Sequence, residues 1–157
     1  MKLSIKNTEE YRCILKFYGD KTTKRTGVRL MNHIDEGLSI MDRIGASEEA
    51  KMAYCLHPVL QSDEDFNENF SKSFLENCWA SSLILATEYR RVANSYLSTG
   101  SKGYFVGFTN KDIWAMLFAD KFQNEKDFTV YHENSHPRSK ELRDYFDNWF
   151  ILIDNYA

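Results

Sequence analysis

"RLMNHIDEGLSIMDRIGASEEAKMAYCLHPVL", residues 29–60, decides the fold. Leu30, Ile34, Leu38 and Met41 recur every three or four positions, which places them on one face of a helix. Gly45 stops that pattern, and Ser47 followed by two glutamates opens a second apolar helix, "EEAKMAYCLH". Pro58 is expected to interrupt this second helix at the end of its apolar run, because proline lacks the N–H that a helix interior needs. A polar, acidic stretch, "SDED", follows at residues 62–65. Two successive helices separated by a short break point to an all-α protein.

The flanking sequence extends the same pattern. "TEEYRCILKFYG" puts Tyr11, Ile14, Leu15 and Tyr18 on one face, with Thr8 as N-cap and Gly19 as the stop. Phe66, Phe70 and Phe74 suggest a further helix, and "CWASSLILATEYRRVANSYL" is helical by composition and length. "STGSKGYFVGFTN" is the clearest loop; its "YFVGF" offers a short strand with no evident partner. Thr109 with Asp112 makes a capping box ahead of "KDIWAMLFADKFQNEKDF". "SKELRDYFDNWFILI" closes the chain, with Leu142, Tyr145, Phe146, Trp149 and Phe150 as its buried stripe. The expectation is a single all-α domain over residues 1–157, a bundle of about seven helices.

Composition excludes several classes. The chain has 157 residues, 43% of them apolar, enough for one core. Seven glycines and two prolines are too few for a turn-rich β-sandwich. A net charge of −3 supplies no basic field for DNA or RNA. Cys13, Cys55 and Cys78 form no C-x-x-C pair, which suits reduced thiols in the cytoplasm. The opening "MKLSIKNTEEY" lacks the apolar stretch of a secretion signal, and no run is long enough for a membrane span. A cytoplasmic protein with no membrane partner is expected.

Three separated side chains carry potential chemistry. His33 lies in the first quoted helix, His57 ends the second, and Asp120 lies inside "MLFADKFQN" with Asn124 four residues later on the same face. Two imidazoles and a carboxylate from three helices suit one divalent cation, manganese, iron or zinc before calcium. A carboxylate flanked by Phe118 and Phe122 needs a partner or a metal, and Lys121 or a neighbouring arginine would also satisfy it. On the residues alone both alternatives stay open. His132 and His136 have H-x-x-x-H spacing but sit in a polar, Pro-bounded loop, a poor frame for two ligands.

The order and spacing of these pieces resemble the HD-type hydrolase domain of the RelA/SpoT alarmone hydrolase family. That family reads R-x-G-x-P-Y-x-x-H, then a helix, a small acidic cap, an alanine-rich helix and a terminal L-H-D. Arg25, Gly27, His33, Leu56 and His57 fall at matching intervals. "FADKFQNEKDF" resembles the second family block, L-A-D-[KR]-L-x-N-x-[RK]-D-L, with Ala119, Asp120, Lys121, Asn124 and Asp127 in register. The resemblance spans roughly residues 10 to 150. It implies that His33, His57 and Asp120 hold a divalent metal, manganese first, with zinc or iron as alternatives. It implies that Arg25 stacks on or pairs with a phosphorylated nucleotide of the guanosine alarmone (ppGpp) type, and that Asn124 orients substrate or a ligand shell. "ATEYRR" stands about where the family has T-D-D-K, which makes Arg90 or Arg91 a phosphate contact.

The chain also departs from the family pattern. The aspartate of H-D is Pro58 here, which offers no ligand atom, and the family's catalytic E-D pair falls on Gln61 and Ser62. Acids appear just afterwards, so Asp63 or Glu64 is the candidate to assist the attacking water, or else "SDED" is a helix-capping surface turn. The implied activity is metal-dependent nucleotide pyrophosphohydrolysis. The rival is a degenerate domain that binds a nucleotide or a protein partner without hydrolysis.

Overall fold

The structure, a computed structural model, describes residues 4–70, 72–97 and 105–157. Among these residues it is all-helical: α1 (Glu9–Tyr18), α2 (Met31–Arg43), α3 (Glu48–Leu60), α4 (Asp63–Asn69), α5 (Ala80–Ala93), α6 (Lys111–Tyr131) and α7 (Ser139–Asn155). Two single 3₁₀ turns accompany them. The only strand-like pairing among these residues is one antiparallel bridge, Thr22 with Arg29, which closes the loop between α1 and α2. The tip of the expected loop, residues 98–104, lies outside the described residues, and Phe105–Phe108 form no strand.

Most helix ends follow their local chemistry. Thr8 accepts from the Tyr11 amide and Ser47 from the Ala50 amide, each satisfying one orphan N–H of a first turn. Gly19 and Gly45 end their helices at positive φ, 52° and 70°. Two boundaries differ from expectation. Asn110, not Thr109, caps α6, because its side chain accepts from the Asp112 amide while the Asp112 carboxylate is taken by Ser47. The phenylalanine series after the acidic stretch yields only a short α4, with Phe70 at its C-cap.

Pro58 does not end α3; the helix runs through it to Leu60. Helix α3 lies at the centre of the bundle, against α1, α2, α4, α5 and α6. Ala50, Ala53, Tyr54, Cys55, Leu56, Val59 and Leu60 are all fully buried, as expected of a helix apolar nearly all round. Burying each large aliphatic among them contributes about 1.5–3 kcal/mol. On α1 the buried face is Glu10, Tyr11, Cys13 and Ile14, and Leu15 is turned to solvent. On α7 it is Phe146, Trp149 and Ile153, with Leu142, Tyr145 and Phe150 half-buried.

Two contacts fix how the helices dock. Tyr54 of α3 fills a notch on α2 at Gly37, where a Cβ would lie 2.0 Å from the Tyr54 hydroxyl oxygen. Glu10 of α1, wholly buried, accepts from the Trp79 amide at 2.7 Å and the Ser82 hydroxyl at 2.8 Å. Helix α5 has no side-chain cap of its own at Trp79, so a carboxylate from α1 completes its first turn.

Candidate metal centre

Helices α2, α3 and α6 each bring one donor to a common point: His33, His57 and Asp120. The two imidazole Nε2 atoms are 3.2 Å apart. Asp120 Oδ1 stands 3.2 Å from His33 Nε2 and 3.6 Å from His57 Nε2. Donors bound at about 2.0–2.2 Å to one cation lie about 2.8–3.6 Å from each other, from octahedral to tetrahedral angles. All three separations fall in that range, so the group can hold a metal ion.

Hydrogen bonds at the far side of each ring set its tautomer. His57 Nδ1 is 2.6 Å from the Tyr54 carbonyl oxygen, which can only accept. His33 Nδ1 is 2.5 Å from Gln123 Oε1. The Gln123 amide is oriented by its nitrogen, which donates to Glu36 at 3.1 Å and Asp127 at 2.7 Å. Those carboxylates accept, so the amide oxygen is the atom left for His33. Both Nδ1 atoms therefore carry hydrogen and both Nε2 lone pairs face the cluster, as metal-binding imidazoles require.

Asp120 divides its two oxygens. Oδ2 accepts from the Tyr89 hydroxyl at 2.7 Å and pairs with Lys121 at 2.9 Å. Oδ1 accepts from Asn124 at 3.0 Å and faces the histidines. Lysine pairing and the histidine cluster, alternatives on the sequence, thus occur together on one carboxylate. Burial pushes the Asp120 pKa up, but Lys121 and the two histidines outweigh it and hold the carboxyl well below its usual range. Burial also pushes His33 down, yet the bond to Asp120 prevails and its pKa is raised. For His57 burial wins, and its pKa is lowered. Of the two rings, His33 therefore takes up a second proton more readily, at the Nε2 that a metal ion would otherwise use.

His57 and Asp120 are buried, at 2% and 3% exposure, while His33 opens onto a cavity of about 370 Å³. That volume falls in the range of small-ligand sites. Val28, Arg29 and Leu30 from the α1–α2 loop form one wall, and Pro58 and Gln61 another. Asn124 and Asp127 of α6 complete it.

The other candidate residues are placed as follows. Asn124 reaches the cluster. Arg25 does not line the cavity; it is exposed and donates to the Ser135 carbonyl at 3.0 Å, while Arg29 from the same loop is on the wall. Arg90 donates to the Leu60 carbonyl at 2.8 Å, pairs with Asp63 and lies over the Phe66 ring, which ties α5 to the α3–α4 turn. Arg91 pairs with Glu88 at 2.7 Å. Asp63 and Glu64 stand exposed at the start of α4, outside the cavity. A second cavity, about 640 Å³, holds Asp63, Arg90 and Arg91 and shares Gln61 with the first.

Sequence reasoning missed Gln123, Tyr54 and Tyr89. Gln123 was within reach, since it lies three residues after Asp120 on the same helical face. Tyr54 precedes His57 by one turn. Nothing in the sequence around Tyr89 points to a carboxylate on another helix. No protein-family description, curated protein or solved structure matches this chain.

Proposed function

We propose that the protein is a metal-dependent phosphohydrolase acting on a phosphorylated nucleotide of the guanosine alarmone type. The observation that carries this reading is the convergence of His33 Nε2, His57 Nε2 and Asp120 Oδ1 at the edge of an open cavity. A divalent cation held by these three, manganese or else zinc or iron, supplies Lewis-acid polarisation of a phosphoryl oxygen and makes water more acidic. Tyr89 and Lys121 hold Asp120 Oδ2, while Oδ1, which accepts from Asn124, faces the histidines and would be the oxygen that holds the metal; Gln123 and the Tyr54 carbonyl orient the two imidazoles. Arg29 and Asn124 on the cavity wall supply a cation and an amide to the phosphates and polar edge of the substrate.

A second reading is nucleotide binding without hydrolysis. It is favoured by the position of Asp63 and Glu64, which are exposed outside the cavity, so neither of these two acids stands in for the carboxylates that the family pattern has at Pro58, Gln61 and Ser62. Loss of general acid–base help lowers a rate by about 10²–10⁴-fold.

Purified protein incubated with Mn²⁺ and a panel of guanosine alarmones and nucleotides decides between them. Release of phosphate or pyrophosphate that disappears in His33→Ala and Asp120→Ala supports hydrolysis. Calorimetric binding of a panel member without product supports the second reading. Absence of both metal and nucleotide binding sinks the pair.

A further inference from the structure

Pro58 stands next to a histidine whose Nδ1–H donates to the carbonyl of Tyr54, four residues before the proline. In an uninterrupted helix that carbonyl accepts from the backbone N–H at position 58. Proline has no N–H, so the helical donor for this acceptor is missing. The helix nonetheless continues to Leu60, and the His57 ring closes on the vacated oxygen at 2.6 Å. The opposite ring nitrogen, Nε2, then points to His33 and Asp120. Tyr54 is held in turn: its ring lies 4.6 Å from that of His57, and its hydroxyl fits against α2 at Gly37.

We infer that Pro58 is a positioning residue: by withholding an N–H from the Tyr54 carbonyl, it reserves that oxygen for His57 and fixes the imidazole with Nε2 free toward the cluster. The consequence for metal binding rests on the metal-centre reading above; the hydrogen bond does not. Partners at the far side of a metal-binding histidine are worth about 10–100-fold in affinity.

The test is nitrogen NMR of the His57 ring at neutral pH in the metal-free protein, paired with Zn²⁺ and Mn²⁺ titration. Wild type should show a protonated Nδ1 and an unprotonated Nε2. Pro58→Ala restores the backbone donor without burdening the helix, and should populate the other tautomer and weaken metal binding about tenfold. A third protein carries an ester in place of the 57–58 amide, with lactic acid at position 58. It lacks both the N–H and the proline ring, and should keep the wild-type tautomer. An unchanged tautomer in Pro58→Ala, or an ester protein that behaves like Pro58→Ala, overturns the inference. A tautomer shift in Pro58→Ala with no metal bound by any of the three supports the inference and overturns the metal-centre reading alone.

Discussion

Lys121 is 3% exposed, yet its ammonium is matched on the buried side by Asp120 at 2.9 Å and lies over the Trp149 ring. Truncating one partner of such a pair leaves a buried charge uncompensated, at a cost of about 3–5 kcal/mol. Lys121→Met should lose about that much stability in denaturant unfolding without metal, and added Mn²⁺ should restore a larger share than it adds to wild type. An equal effect of Mn²⁺ on both proteins would separate Lys121 from the cluster. His33 makes a second expectation. Because its pKa is raised from the ordinary value of about 6.5, metal binding near pH 6.5 should release protons, measured by calorimetry in buffers of different ionisation enthalpy, and His33→Gln should release fewer. His33, His57, Asp120 and Asn124 were legible in the sequence because a fixed helical spacing or a motif named them. Lys121 was also legible as a partner for Asp120, its neighbour in the chain; the tyrosines and the glutamine that hold the cluster were not, since their partners are chosen by packing between helices.

Helices α2 and α3 approach closely at Gly37, where only hydrogen leaves room for the Tyr54 hydroxyl. Gly37→Ala raises helix propensity by up to about 1 kcal/mol, but here it should destabilise, by about 1–3 kcal/mol for overpacking. It should also displace the Tyr54 ring from His57, visible as a changed His57 NMR signal. A stabilised variant with wild-type metal affinity would contradict this docking. The sequence showed both helices, the Gly45 stop, the Ser47 cap and the Leu30–Met41 stripe, because these follow from local periodicity and capping chemistry. It misjudged the end of α3, since proline alone signals a break. Dense packing from five neighbouring helices carries the chain through it. It misplaced the cap of α6 by one residue because Ser47, far away in sequence, claims Asp112.

At the scale of the whole molecule, the sequence specified an all-α bundle correctly, and no helix among the described residues is long and apolar enough to cross a membrane. Its stability should depend on pH with opposing contributions from the two histidines. His57 has a lowered pKa in the fold, so the unfolded chain takes up its proton more readily, and stability falls as pH drops below about 6.5. Asp120, also lowered, adds a further loss below about 3.9. His33 is raised, so its protonation stabilises below about 6.5 and that gain is lost as pH rises through its folded value. In thermal scans from pH 7 to 5, His57→Gln should lose less stability than wild type and His33→Gln more. Parallel curves for all three would refute the assignment.

The Glu10 carboxylate that completes the start of α5 comes from 69 residues upstream of the Trp79 amide. Until α1 docks, the leading amides of α5 are left to water, so the order of events in folding is constrained. In pulsed hydrogen exchange, protection at Trp79 should emerge together with α1 and never ahead of it. Glu10→Ala should uncouple the two and cost about 1–3 kcal/mol. The first helix is thus a latch on a distant one.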